Sequence, residues 1–139
     1  MLERARRVDP DDPKIELGLG NIGYRLKRPE AEILEHYGRA LELDKKLGAE
    51  LLRGAEQSPI DAYFVGRLLL EKNEKRAVQL LEAAVAAEDH PPEARFWLGK
   101  GLLKRPRTKK QGLRELSAFK SEMPGSELAE EAAKLIKGR

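Results

Sequence analysis

The sequence predicts an all-α fold, an α-solenoid of antiparallel helix pairs, and three observations carry that prediction. An apolar residue followed by glycine recurs at Leu19-Gly20, Val65-Gly66 and Leu98-Gly99. Each glycine is followed, 18 to 20 residues later, by an alanine: Ala40, Ala84 and Ala118. Between these markers apolar residues return every three or four positions, the period of an amphipathic helix, and prolines punctuate the segments.

Taken in order, Leu2, Ala5 and Val8 fit the last turns of a helix that Asp9-Pro10 stops, so residues 1–10 read as a truncated repeat cut from a longer protein. Asp12-Pro13 is a strong helix start, a capping acceptor before proline at the first helical position. The helix it opens runs to about Lys27, with Ile15, Leu19, Ile22 and Leu26 on one side and Leu17 and Tyr24 on the other. Gly18, Gly20 and Gly23 each weaken it by about 1 kcal/mol against alanine, which predicts close approach of a neighbouring backbone. Arg28-Pro29 breaks the chain, and Glu30 to Leu43 returns with Ile33, Leu34, Tyr37, Ala40 and Leu41 inward, completing a unit over 12–44.

Residues 45–57 carry Leu47, Leu51, Leu52 and Ala55 at helical spacing without a separating proline, so they read either as an inserted short helix or as an extension of the preceding one. Ser58-Pro59 starts the next unit, 58–89, with Ile60, Phe64, Leu68 and Leu69 facing in and Ala77, Leu80, Leu81, Ala84 and Val85 on the return. The third unit, 91–124, holds the helix Glu93 to Lys104 and a return helix from Thr108 with Leu113, Leu116, Ala118 and Phe119. Ser126 then caps a last helix, 126–137, with Glu127, Glu130 and Glu131 at its positive end and Lys134 and Lys137 at its negative end, as an end cap requires.

Composition bounds the rest. A length of 139 residues favours one domain, and 40% apolar residues suffice for a core. A charged fraction of 37% suits helices laced with Glu, Lys and Arg, and a formal charge of +3 permits an acidic partner without requiring one. The absence of cysteine excludes a disulfide scaffold and a thiolate metal site. No apolar run approaches the roughly 20 residues of a membrane span, and no basic-then-apolar leader opens the sequence. The chain is expected to be soluble, whether cytoplasmic or periplasmic.

Chemistry is sparse. Glu32 and His36 stand four apart on one helix but lack the second such pair of a zinc protease, and read as a solvated pair. His90 precedes two prolines in a loop, and the serines at 58, 117, 121 and 126 lack a partner histidine, so no catalytic residue, metal or cofactor is assigned. Gly18, Gly20 and Gly23 match the letters of a dinucleotide fingerprint, but no strand precedes them. Lys104, Arg105, Arg107, Lys109 and Lys110 form a basic run with no interleaved aromatic residue, read as a solvated loop rather than a nucleic-acid contact.

The spacing makes the repeat testable: Gly66 to Gly99 is 33 residues, and Gly20 to Gly66 is 46, longer than a repeat of about 34 by one short helix. With Leu98-Gly99 in the first helix and Tyr37, Ala40, Leu41, Leu43 and Asp44 in the second, the chain resembles the tetratricopeptide repeat family, whose helix pairs stack into a superhelix. About three units fit, beside the truncated one, the insertion and the cap. Residues 123–132 look like the closing units of bacterial envelope members. Trp97 departs from the family's tryptophan position, and Lys45 stands where the terminal proline is expected.

The resemblance implies a non-enzymatic scaffold that holds a partner peptide or helix in a concave groove lined by the first helix of each pair. The groove positions it implies include Lys14, Asn21, Tyr24 and Arg25 in the first unit, Tyr63 and Arg67 in the second, and Phe96, Lys100 and Lys104 in the third. Cations dominate there, so the implied ligand is acidic or ends in a free carboxyl, with Tyr24, Tyr63 and Phe96 as anchors. Leu17, Leu70 and Leu103 at neighbouring positions are read as packing. Leu17 stands at the lysine position, and Glu93 and Trp97 at the lysine and arginine pair, of the subtype that grips chaperone tails, so chaperone binding is not expected. Two alternatives stand beside the scaffold: self-assembly through the repeat ends, and an adaptor region of a larger enzyme.

Overall fold

A computed structural model describes residues 12–55 and 57–138; the short helix expected over residues 1–10 lies outside them. The described residues form helices α1 (Pro13–Arg25), α2 (Glu30–Leu43), α3 (Leu47–Leu52), α4 (Pro59–Leu69), α5 (Glu74–Ala86), α6 (Ala94–Leu102), α7 (Pro106–Glu122) and α8 (Glu127–Lys137), with no strand among them. The closest packing joins α1 to α2, α4 to α5 and α6 to α7, and α8 lies on α7. Connections this short turn the chain back on itself, giving a series of αα-hairpins.

Local chemistry fixes the ends. Asp12 Oδ1 accepts from the Lys14 backbone N–H at 2.9 Å, and Pro13 follows at the first helical position. At the other end of α1 the Arg28 N–H reaches the Gly23 carbonyl at 2.9 Å and the Lys27 N–H the Tyr24 carbonyl at 3.1 Å. This is a Schellman closure, and it places Lys27 at φ 59°, the left-handed position glycine usually fills. Asn73 Oδ1 caps α5 through the Arg76 N–H, and Ser126 Oγ caps α8 through the Ala129 N–H.

Residues 45–57 hold a separate helix. Asp44 is extended (φ −137°, ψ 100°) and its carboxylate accepts from the Lys46 N–H, so α2 stops before α3 begins. The short α3 tucks against α4 and α5 with Leu47 and Gly48 buried. α7 starts at Pro106 rather than Thr108, which puts Arg107, Lys109 and Lys110 in its opening turns instead of a loop. These cations face the positive end of the helix dipole, and all three are exposed, so water screens the repulsion.

The recurrent glycines are explained by what faces them. A Cβ at Gly20 would lie 2.5 Å from the Tyr37 ring, one at Gly66 3.0 Å from Leu81 Cγ, and one at Gly99 2.8 Å from Leu116 Cγ. In the first pair the neighbour is therefore an aromatic ring and not a backbone, contrary to the expectation from sequence. Three residues after Tyr37, Leu81 and Leu116 stand Ala40, Ala84 and Phe119, all fully buried. Phe119, and not the half-buried Ala118, holds the third of these positions. Ile22 and Leu26, placed by spacing on the same side of α1 as the buried Leu19, are 43% and 67% exposed.

The core has two parts. The larger runs from Ile33 and Tyr37 through Phe64, Leu80 and Leu81 to Leu98 and Leu102. The smaller gathers Phe96, Leu116, Phe119, Ala129 and Ala132 under α8, and half-buried Trp97 packs against both. Glu16 is fully buried in the first pair, where its carboxylate meets His36 Nδ1 at 2.9 Å and Arg39 Nε at 3.1 Å. His36 thus pairs across helices, and Glu32 pairs instead with Arg28 at 3.2 Å, which replaces the solvated Glu32–His36 pair read from the sequence.

Candidate interaction surface

The residues nominated from sequence divide into two neighbouring pockets, with some excluded from both. Arg67, on α4, is the hinge of the arrangement. Its Nη2 donates to Glu30 at 2.6 Å, its Nη1 donates to the Tyr63 hydroxyl at 3.3 Å, and its guanidinium stacks 4.3 Å from the centre of the Trp97 ring. Burial works against its charge, but the Glu30 carboxylate and the Tyr63 hydroxyl together outweigh that and hold the guanidinium pKa above its ordinary value.

On one side of Arg67 lies a pocket of ≈ 240 Å³ floored by Leu34, Leu68, Leu70 and Trp97 and rimmed by Arg67, Lys100, Lys104 and Glu71. Lys100 sits 5.1 Å from the Trp97 ring and 3.3 Å from Glu131, and Lys104 donates to the Leu70 carbonyl at 3.4 Å. Arg67 and Lys100 come from the helices expected to line a groove and Lys104 follows the second of them; Leu68 and Trp97 of the floor lie on the same helices but were not nominated. Leu34 belongs to α2, and Trp97 follows the nominated Phe96. The signal that could have found Trp97 is its uniqueness, since the chain has one tryptophan, placed one residue from a buried phenylalanine.

On the other side lies a pocket of ≈ 430 Å³ with Tyr24, Tyr63, Phe64, Ile33, Glu30 and Glu93 in its lining and Arg25, Lys27 and Arg28 at its edge. Tyr24 and Tyr63 each meet the Phe64 ring edge to face, at 5.6 and 4.7 Å between centres. Burial, with the charge of Glu93, raises the pKa of both tyrosine hydroxyls.

Several nominated residues are otherwise occupied. Phe96 is fully buried, 5.6 Å from Phe119 and 5.2 Å from Trp97, so its ring is packing and not a groove anchor. Tyr63 is 2% exposed, which leaves little of its ring for a partner. Asn21 bridges units instead of facing outward, accepting from Arg25 Nε at 2.7 Å and donating to Asp61 Oδ1 at 3.2 Å. The same Asp61 oxygen accepts the Tyr37 hydroxyl at 2.5 Å. Lys14 is exposed at the start of α1 and lines neither pocket. Of the residues read as packing, Leu70 is buried while Leu17 and Leu103 are half-buried against the core.

The tetratricopeptide repeat family model matches residues 1–47, a span that contains the Gly20–Tyr37 pairing of α1 and α2. Over those residues the chain is similar to the tetratricopeptide repeat family. Such repeats generally mediate protein–protein interaction and are typically non-catalytic. No curated protein matches the chain. Among the described residues no group of three or more His, Asp or Glu is placed to hold a metal, and no helix is long and apolar enough to cross a membrane.

Proposed function

We propose that this chain works as a non-enzymatic scaffold of the tetratricopeptide repeat kind, holding an extended segment of a protein partner across α1, α4 and α6. An apolar side chain of that segment enters the Trp97 pocket and an adjacent carboxylate lies on the rim cations. One observation carries the reading: an apolar floor of Leu34, Leu68, Leu70 and Trp97 is bordered by Arg67, Lys100 and Lys104. Aromatic and arginine side chains in a partly desolvated pocket are the usual anchors of protein recognition. The carboxylates already near these cations, Glu30, Glu131 and Glu71, are 61%, 44% and 90% exposed, so an incoming acid competes with contacts that water weakens.

Trp97 supplies its own readout. Titrating short peptides that pair leucine or phenylalanine with glutamate should shift its fluorescence, and the variant with Lys100→Glu and Lys104→Glu should lose that response while melting like the parent. A response unchanged by the charge reversal overturns the reading.

A second reading, self-association, is favoured by Ile22 and Leu26, large apolar side chains exposed one turn apart on α1. Light scattering over a concentration series tests it, and a monomer at all concentrations removes it.

A further inference from the structure

The pocket on the Tyr24 side of Arg67 has chemistry that the acidic-ligand reading does not use. Its lining sets the half-buried ring of Tyr24 against the buried rings of Tyr63 and Phe64, beside Glu93. One carboxylate oxygen of Glu93, Oε1, is out of solvent and makes no hydrogen bond to the described residues. Arg67 does not neutralise it, being committed to Glu30, Tyr63 and Trp97. Nor do the cations at the edge: Arg25 is bonded to Asn21, Arg28 to Glu32, and Lys27 is exposed. A buried carboxylate oxygen without a donor is an unfavourable arrangement, and a cation brought to it recovers the missing interaction. Aromatic faces carry the negative part of the ring quadrupole and favour the same charge.

We propose that this pocket binds a cationic side chain, arginine or lysine, of the partner segment whose acidic and apolar residues occupy the Trp97 pocket. The inference deepens the scaffold reading and rests on it for the ligand being a protein side chain. The Arg67–Glu30 ion pair stands between the two pockets, with Arg67 lining one and Glu30 the other. The face therefore asks for opposite charges in a fixed order, and a bound segment has one direction. Arg25, Lys27 and Arg28 lie at the solvent edge, where their repulsion is screened within about 8–10 Å at physiological salt, and they can meet backbone carbonyls on either side of the cation.

The test uses N-acetyl-arginine amide as probe, N-acetyl-citrulline amide as its neutral isostere and N-acetyl-glutamate amide as the acidic counterpart, followed by NMR. The arginine probe should shift the Tyr24 ring signals saturably below about 10 mM, with the citrulline probe about tenfold weaker. Glu93→Gln should erase that difference, and Tyr24→Leu, which keeps the packing but removes the ring face, should weaken both probes. Equal binding of arginine and citrulline probes, an unchanged preference in Glu93→Gln, or no saturable shift of Tyr24 overturns the proposal. Failure of the glutamate probe to shift the Trp97 indole signal, with the Tyr24 response intact, instead refutes the acidic pocket and leaves the cationic one standing.

Discussion

The first and third helix pairs answer the same packing problem with opposite distributions of bulk. Opposite Gly20 the first pair places Tyr37, with Ile33 four residues before it and Ala40 three after. Opposite Gly99 the third pair places Leu116, with Gly112 before it and Phe119 after. The large aromatic group moves from the middle of the contact to its far end, and the near end shrinks from isoleucine to nothing. What recurs is the glycine and a filled space against it; which residue fills the space is free to vary, as volume-conserving core exchange allows. The exchange has a consequence for the joints. Tyr37 carries a hydroxyl across to Asp61 of α4, so the first pair is tied to the second by a polar bond. Phe119 reaches Phe96 and the apolar contacts beneath α8, so the third pair is tied to the cap mainly by burial, with the half-exposed Lys100–Glu131 ion pair beside it.

The largest effect separating the two pairs should come from Glu16, a buried charge with no counterpart among the buried residues of the third pair. Replacing both partners, His36→Ala with Arg39→Ala, leaves the Glu16 carboxylate buried without either of them, and a loss of about 3–5 kcal/mol is expected in urea unfolding. Next comes Gly112→Ala. A Cβ there would lie 2.8 Å from the Gly99 carbonyl oxygen and 3.0 Å from the Leu103 nitrogen, both backbone atoms that cannot swing aside. Overpacking of this kind costs about 1–3 kcal/mol, and a melt no lower than the parent's would show that α6 and α7 have room to separate.

These two sites also mark how far the sequence could be read. Helix positions, the pairing and the insertion followed from glycine spacing, proline breaks and caps, because those signals act locally. Side chains that work across helices did not follow. The family resemblance implies a groove position for Asn21 and Arg25, but Asp61, 40 residues beyond Asn21, turns the asparagine into a joint. Glu16 looked like one more charge in a charged sequence until His36 and Arg39 met it from α2. Phe96, expected at the groove, is buried, and Trp97, unplaced from the sequence, lines the pocket, since a small rotation of α6 decides which of two adjacent rings is buried and spacing alone cannot fix that rotation.

A smaller effect tests the polar joint. Tyr37→Phe removes the bond to Asp61 with little change in volume and should lower stability by about 1–2 kcal/mol. Alkaline pH acts on the same bond. Burial, then the Asp61 charge, pushes the Tyr37 hydroxyl far above its ordinary pKa, and Tyr63 and Tyr24 are shifted in the same direction. The folded state therefore favours the neutral phenols. That contribution is complete below the unfolded tyrosine value of about 10 and is lost as pH rises beyond it. Urea midpoints should fall above about pH 10, with Tyr37→Phe flattening the slope more than Tyr24→Phe. Equal slopes in the two variants would mean the Asp61 bond contributes little to the shift.

The smallest effect has the opposite sign. Gly38 lies inside α2 with nothing within 4 Å of where its Cβ would stand, whereas Gly112 inside α7 is pressed against backbone. The same substitution therefore meets two different terms. At Gly38 only the helical propensity counts, and alanine should add about 0.5–1 kcal/mol by restricting the unfolded chain. At Gly112 the steric term outweighs that gain. If Gly38→Ala also destabilises, unfilled space beside a glycine is a poor guide to its purpose in this protein, and the contrast between the pairs must rest on the fillers alone.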